Sequence, residues 1–141
     1  MRRSLGVVLG CIALSVACDN SGGGGSPLGS TTATLTTETF TGTVQPNSFD
    51  AHRFTVVQQG EVDVTLTSVG PPATIFMGLG VGTPGAIDGS CTVLATGFVN
   101  TQAGTTPQLV GSAAPGSFCV SVFDIGNQSV PVAYTVTVAH P

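Results

Sequence analysis

The stretch "EVDVTLTSV", residues 61–69, sets Val62, Val64 and Leu66 on one side of an extended chain and Glu61, Asp63, Thr65 and Thr67 on the other. Successive side chains of a strand point to opposite faces, so this alternation describes a strand with one face in a core and the other in water. The same period recurs outward from it. "DAHRFTVV" (50–57) sets His52, Phe54 and Val56 against Ala51, Arg53 and Thr55, and "GSFCVSVFD" (116–124) turns Phe118, Val120 and Val122 inward with Cys119 on the opposite face. "AYTVTVAHP" (133–141) turns Tyr134, Val136 and Val138 inward and leaves His140 as an exposed tail residue, while "ATIFMGLGV" (73–81) offers Ile75, Met77, Leu79 and Val81, with Phe76 facing the other way among small residues. Weaker strands are expected at 34–44, 91–99 and 106–112. Turn signals such as Pro46-Asn47, Gly70-Pro71-Pro72, Asp88-Gly89 and Gly126-Asn127 separate nearly all of them. No window after residue 18 shows a convincing 3.6-residue period. About eight short strands spaced by turns predict an all-β chain, an antiparallel β-sandwich over residues 34–141 as one domain.

The residues before that domain read as an address. Arg2 and Arg3 precede an apolar run, Leu5 to Ala17, that ends on a small residue, the layout of a secretory signal over residues 1–17. A bilayer span needs roughly 20 apolar residues, which this run lacks. Ser15-Val16-Ala17-Cys18 resembles the bacterial lipobox, in which the peptidase cleaves before a cysteine carrying diacylglycerol. Cys18 is therefore the expected lipidation site. Val8-Leu9-Gly10-Cys11 matches the motif better in form, but cleavage there would leave too short an apolar core, and a plain signal peptide cut nearby is the alternative. Two or more acyl chains hold a protein stably on lipid. Residues 18–33 then form the lipidated Cys and a Gly/Ser/Thr-rich tether, with a root-mean-square reach of about 20 Å for fifteen flexible residues. Asp19 resembles the inner-membrane retention signal of enteric bacteria, a code that differs between bacterial groups. The expected place is the bacterial cell envelope, on the outer side of the cytoplasmic membrane or on the outer membrane.

Charge excludes several partners. Once Arg2 and Arg3 leave with the signal, Arg53 stands alone beside seven carboxylates, 1 − 7 = −6, and the chain has no Lys. Nucleic acid needs a cluster of basic groups, and anionic head groups favour one, so neither is an expected ligand.

"GTVQPNSFDAHRFTVVQQGEVDVTLTSV" (42–69) followed by "APGSFCVSVFDIGNQSVPVAYTVTV" (114–138) resembles the bacterial pre-peptidase C-terminal (PPC) domain. The motif residues are Gly42, Asp50-x-His52-x-Phe54-x-Val56, Gly116-x-Phe118-x-Val120-x-Val122 and Tyr134-x-Val136-x-Val138. His52 stands where that family has an aromatic residue. The resemblance implies a jelly-roll-like sandwich of the kind that rides on secreted proteases and collagenases. Some members bind calcium. Calcium takes six to eight oxygens, and no acidic cluster here matches such a set, so neither a metal nor another cofactor is expected.

Cys91 and Cys119 remain after Cys11 and Cys18 are assigned to the signal and the anchor. In an oxidising compartment they read as one disulfide, contributing roughly 3 to 3.7 kcal/mol in the chain-entropy model and stapling a strand or loop across the outside of a sheet. Two free buried thiols are the alternative, and a metal pair lacks further ligands at the right spacing. Ser48, Asp50 and His52 invite a hydrolase reading, yet collinear neighbours on one strand do not give the converging geometry of a triad. His52 is instead expected as a histidine at the edge of the core, and Asp88, Asp124 and Asn127 as turn residues bonding local backbone.

With no Trp and one inward Tyr, the outward aromatic candidates for an interaction surface are Phe76, Phe98 and Phe123. They form either an exposed patch or the cover of a second sheet face. The expected function is a membrane-anchored, non-catalytic envelope lipoprotein whose sandwich binds a protein or polymer. The alternatives are a structural surface lipoprotein without a defined ligand, or a hydrolase accessory domain.

Overall fold

A computed structural model describes residues 34–141. The expectations for residues 1–33, the signal, Cys18 and the tether among them, lie outside the described residues. Eight strands follow one another: β1 (Thr36–Val44), β2 (Phe49–Val56), β3 (Gly60–Gly70), β4 (Met77–Pro84), β5 (Cys91–Thr101), β6 (Leu109–Ala113), β7 (Gly116–Phe123) and β8 (Val132–His140). They form two four-stranded antiparallel sheets, β1-β8-β3-β6 and β2-β7-β4-β5. The chain crosses between the sheets at every connection except the one from β4 to β5, which gives the order of a double-sheet jelly roll.

The period-two pattern explains why the sheets close on each other. Val62, Val64 and Leu66 of β3 and Tyr134, Val136 and Val138 of β8 face Phe54, Val56, Leu79, Val120 and Val122 of the second sheet in one buried core. Each fully buried side chain of this size contributes roughly 1.5–3 kcal/mol, so the central strands hold the layers together.

Three departures from simple alternation matter. In β3 the register shifts between Leu66 and Ser68, so Thr67 is the extra residue and both Leu66 and Val69 point inward. The strand expected at 73–81 begins only at Met77, because the Ile75 amide closes a turn on the Pro72 carbonyl at 3.1 Å, yet Ile75 still packs against the core. His140, expected as an exposed tail, is buried. It continues the inward parity of β8, its ring lies 5.4 Å from that of Phe54, and its Nε2 is 2.9 Å from Glu38 Oε1. Pro141 fixes the end of the strand, its carbonyl accepting the Val57 amide at 3.0 Å.

Cys91 and Cys119 are joined, with Cα atoms 5.8 Å apart. Cys119 of β7 and Cys91 of β5 belong to strands with β4 between them, so the bridge passes over the outer face of β4 at Gly82–Pro84. A side chain at Gly82 would overlap the Thr92 carbonyl, so glycine lets the β5 backbone come this close. Beyond the staple β5 bulges, Val81 of β4 standing opposite the four residues Leu94–Gly97.

Candidate functional site

Two places gather chemistry. The first is the seam where the edge strands β1 and β2 close the sandwich. Asp50 and His52 share a face of β2, and both reach the hydroxyl of Tyr134, which comes from the centre of the first sheet. That hydroxyl donates to Asp50 Oδ2 at 2.8 Å and lies 2.8 Å from His52 Nε2. With the phenolic proton directed at Asp50, His52 Nε2 carries a proton and donates to the phenolic oxygen. The His52 ring stacks on Phe40 of β1, centroids 4.9 Å apart, which is how a histidine fills an aromatic site. Gly42 lies opposite Tyr134, and a side chain there would overlap the Asp50 carboxylate. Burial first, then the hydrogen bond and charge of Asp50, push the Tyr134 phenol far above its ordinary value.

The arrangement is a lock with no free nucleophile in it. The hydroxyl of Ser48, which the sequence places in line with Asp50 and His52, donates to the Phe49 carbonyl at 3.5 Å. Both histidines are engaged, His52 by Tyr134 and His140 by Glu38. Among the described residues, no group of three or more His, Cys, Asp or Glu side chains is placed to hold a metal ion.

The second place is the outer face of the β2-β7-β4-β5 sheet. There an open groove of about 690 Å³ is lined by Asn47, Ser48, Phe49, Cys91, Val93, Leu94, Ala95, Phe98, Ser121, Phe123 and Asp124. Phe49 pairs with Phe123 across β2 and β7, Phe123 with Gly78, and Gly80 with Phe98 across β4 and β5. The missing side chains of β4 make the floor: the Phe123 ring occupies the space a side chain at Gly78 would need. Val93 and Leu94 rise as a wall because the staple and the bulge draw β5 over the sheet. Phe49 and Phe98 remain about half exposed, at 55% and 51%.

Asp124 shapes the end of the groove. Its Oδ2 accepts the Asn47 amide at 2.7 Å, and its Oδ1 accepts those of Gly126, Asn127 and Gln128 at 2.9, 3.1 and 3.3 Å. These donors, Asn47 foremost, outweigh the opposing effect of burial and lower the pKa of the carboxyl from its ordinary value. Its charge is thus committed to loop backbone and not offered to a ligand. Arg53 is committed too, Nη2 donating to the Gly85 carbonyl at 2.7 Å and lying 3.4 Å from Asp88.

Of the three aromatic candidates the fold brings Phe98 and Phe123 together and leaves Phe76 apart, exposed just before β4, its carbonyl accepting the Asn127 side-chain amide at 3.0 Å. Phe49, Val93 and Leu94 are the residues that strand periodicity missed. Phe49 had a signal, since it continues the outward parity of Ala51, Arg53 and Thr55. No family model matches the chain, and no curated protein matches its sequence.

Proposed function

We propose that this chain is a non-catalytic, lipid-anchored lipoprotein of the bacterial envelope whose jelly roll binds an apolar, uncharged segment of another envelope protein. The observation that carries the reading is the groove: three phenylalanine rings and two aliphatic side chains gathered on one face, with the neighbouring Asp124 and Arg53 already satisfied within the domain. Exposed apolar side chains are ordinary when scattered; gathered into one depression they favour a partner. Phenylalanine has no polar edge with which to hold a sugar hydroxyl, so the lining suits an apolar peptide better than a polysaccharide. The engagement of both histidines supports the non-catalytic part of the reading, and the resemblance to PPC domains supports an accessory role. The lipobox-like Ser15-Val16-Ala17-Cys18 supports the anchor.

Co-purification from detergent-extracted membranes tests the binding site. A stoichiometric protein partner is expected with the unaltered full-length chain and with Phe76→Ser, and its loss with Phe49→Ser/Phe98→Ser. Equal recovery with both variants would remove the groove from the account.

A further inference from the structure

The two sheets have four edges, and three of them are blunted. β5 carries the four-residue bulge and the disulfide staple, β6 is only five residues long with Gly111 at its middle, and β2 carries Asp50 and Arg53. Bulges, shortness and charge are the devices by which edge strands avoid pairing with another chain. β1 is neither short nor bulged, and it carries a single charge. It runs nine residues, "TTETFTGTV", in unbroken register with β8, without proline, lysine or bulge. Its one charged residue, Glu38, is turned inward and held by His140. Thr37, Thr39, Thr41 and Thr43 are exposed along its outward face. Among the described residues no strand pairs with its far side.

We infer that β1 pairs antiparallel with β1 of a second copy of this chain, joining two four-stranded sheets into one of eight. A second copy is the occupant because the strand is complementary to itself. A two-fold axis at Phe40 sets Thr39 opposite Thr41 and Thr37 opposite Thr43 on the outward face. On the inward face it sets Phe40 opposite Phe40 and Glu38 opposite Gly42, so the two carboxylates do not meet. Thr–Thr and aromatic–aromatic pairs are among the favourable cross-strand pairs, while like charges directly opposite are unfavourable. Phe40, half-buried and stacked on His52 from one side, gains the second ring from the other. The main-chain groups along the free edge gain partners at the same time.

Photo-crosslinking in living cells tests this with two differently tagged full-length copies, one carrying p-benzoylphenylalanine at Thr41. The expected result is an adduct between the two tags, mapped to residues 37–43 of the partner copy. Thr39→Lys in both copies should lower its yield at least tenfold, and Thr55→Lys on β2 should leave it unchanged. An unfolding midpoint for Thr39→Lys equal to that of the parent shows that the loss is not one of folding. An adduct to a different protein, to residues 19–33 of the same chain, to no chain at all, or one that survives Thr39→Lys overturns the inference.

Discussion

Tyr134 brings a hydroxyl from the core of one sheet to a carboxylate and an imidazole of the other. Tyr134→Phe removes the shared hydroxyl and keeps the ring, so its cost is that of polar partners left unmatched, about 1–3 kcal/mol for fully buried groups. The side chains of His52 and Asp50 keep 28% and 34% of their exposure, and water can replace part of the loss. The expected cost is therefore about 1 kcal/mol, read as a lower urea midpoint at constant slope. Gly42→Ala should cost more, about 1–3 kcal/mol, because the added carbon meets the Asp50 carboxylate and the Tyr134 ring, and neither can move without breaking the lock. The pH dependence has a definite sign. Tyr134 has its folded pKa raised above the unfolded value of 10.0, so its stabilisation is complete below that pH and is lost as pH rises above it. Asp124 runs the other way: its folded pKa is lowered from 3.8, so its stabilisation is complete above that pH and is lost as pH falls below it. Unfolding followed against pH should show a shallower alkaline limb for Tyr134→Phe and a shallower acid limb for Asp124→Asn. The pairing of Tyr134 with Asp50 was not legible in the sequence, since 84 residues separate them and only the sheet order brings them together. The burial of His140 was legible in principle. Parity placed it with Val136 and Val138, but proximity to the chain end argued for exposure, and the hydrogen bond that pins Pro141 cannot be read from composition.

At the scale of elements, β3, β7 and β8 follow directly from the alternation because each has its own face of valines, and one slipped residue would turn that face into water. β5 and β6 are different. The pairing of β5 breaks at Leu94–Gly97, so no single alternation runs through it, and what fixes its path is the bridge from Cys91 to Cys119. β6 starts only at Leu109 because Gln108 pairs through its side chain before it: Oε1 accepts the Leu66 amide at 2.7 Å, and its backbone amide donates to the Val64 carbonyl at 3.0 Å. A side chain standing in for a strand leaves no periodic trace. The staple closes a loop with a sequence separation of 28. Cys91→Ala/Cys119→Ala is therefore expected to cost about 3–4 kcal/mol by the chain-entropy relation, measured in urea and matched by reduction of the parent protein. The same change should release β5 from its place over Gly82. Native-state hydrogen exchange checks this, with faster exchange confined to β5 and the end of β4 in the variant.

For the whole molecule, the sandwich was legible from the spacing of strands and turns, and the strand order was not legible from alternation, which says nothing about which strands are neighbours. The groove needed that order. Phe49, Phe98 and Phe123 lie far apart in sequence, and it is the sequence of strands β2-β7-β4-β5, with glycines in β4, that gathers them on one face. The proposed anchor makes its own prediction: Cys18→Ser should move the protein from the membrane fraction to the soluble fraction and abolish incorporation of labelled fatty acid, while leaving the unfolding midpoint of the domain unchanged. The most direct test of the proposed binding is a photo-reactive residue at Phe98 in the full chain in living cells, compared with the same residue at Phe76. One discrete protein adduct is expected from Phe98, cross-linked through an apolar stretch of the other protein, lost with Phe49→Ser and absent from Phe76. A polydisperse smear, an equal adduct from both positions, or none from Phe98 in a correctly exported protein would contradict it.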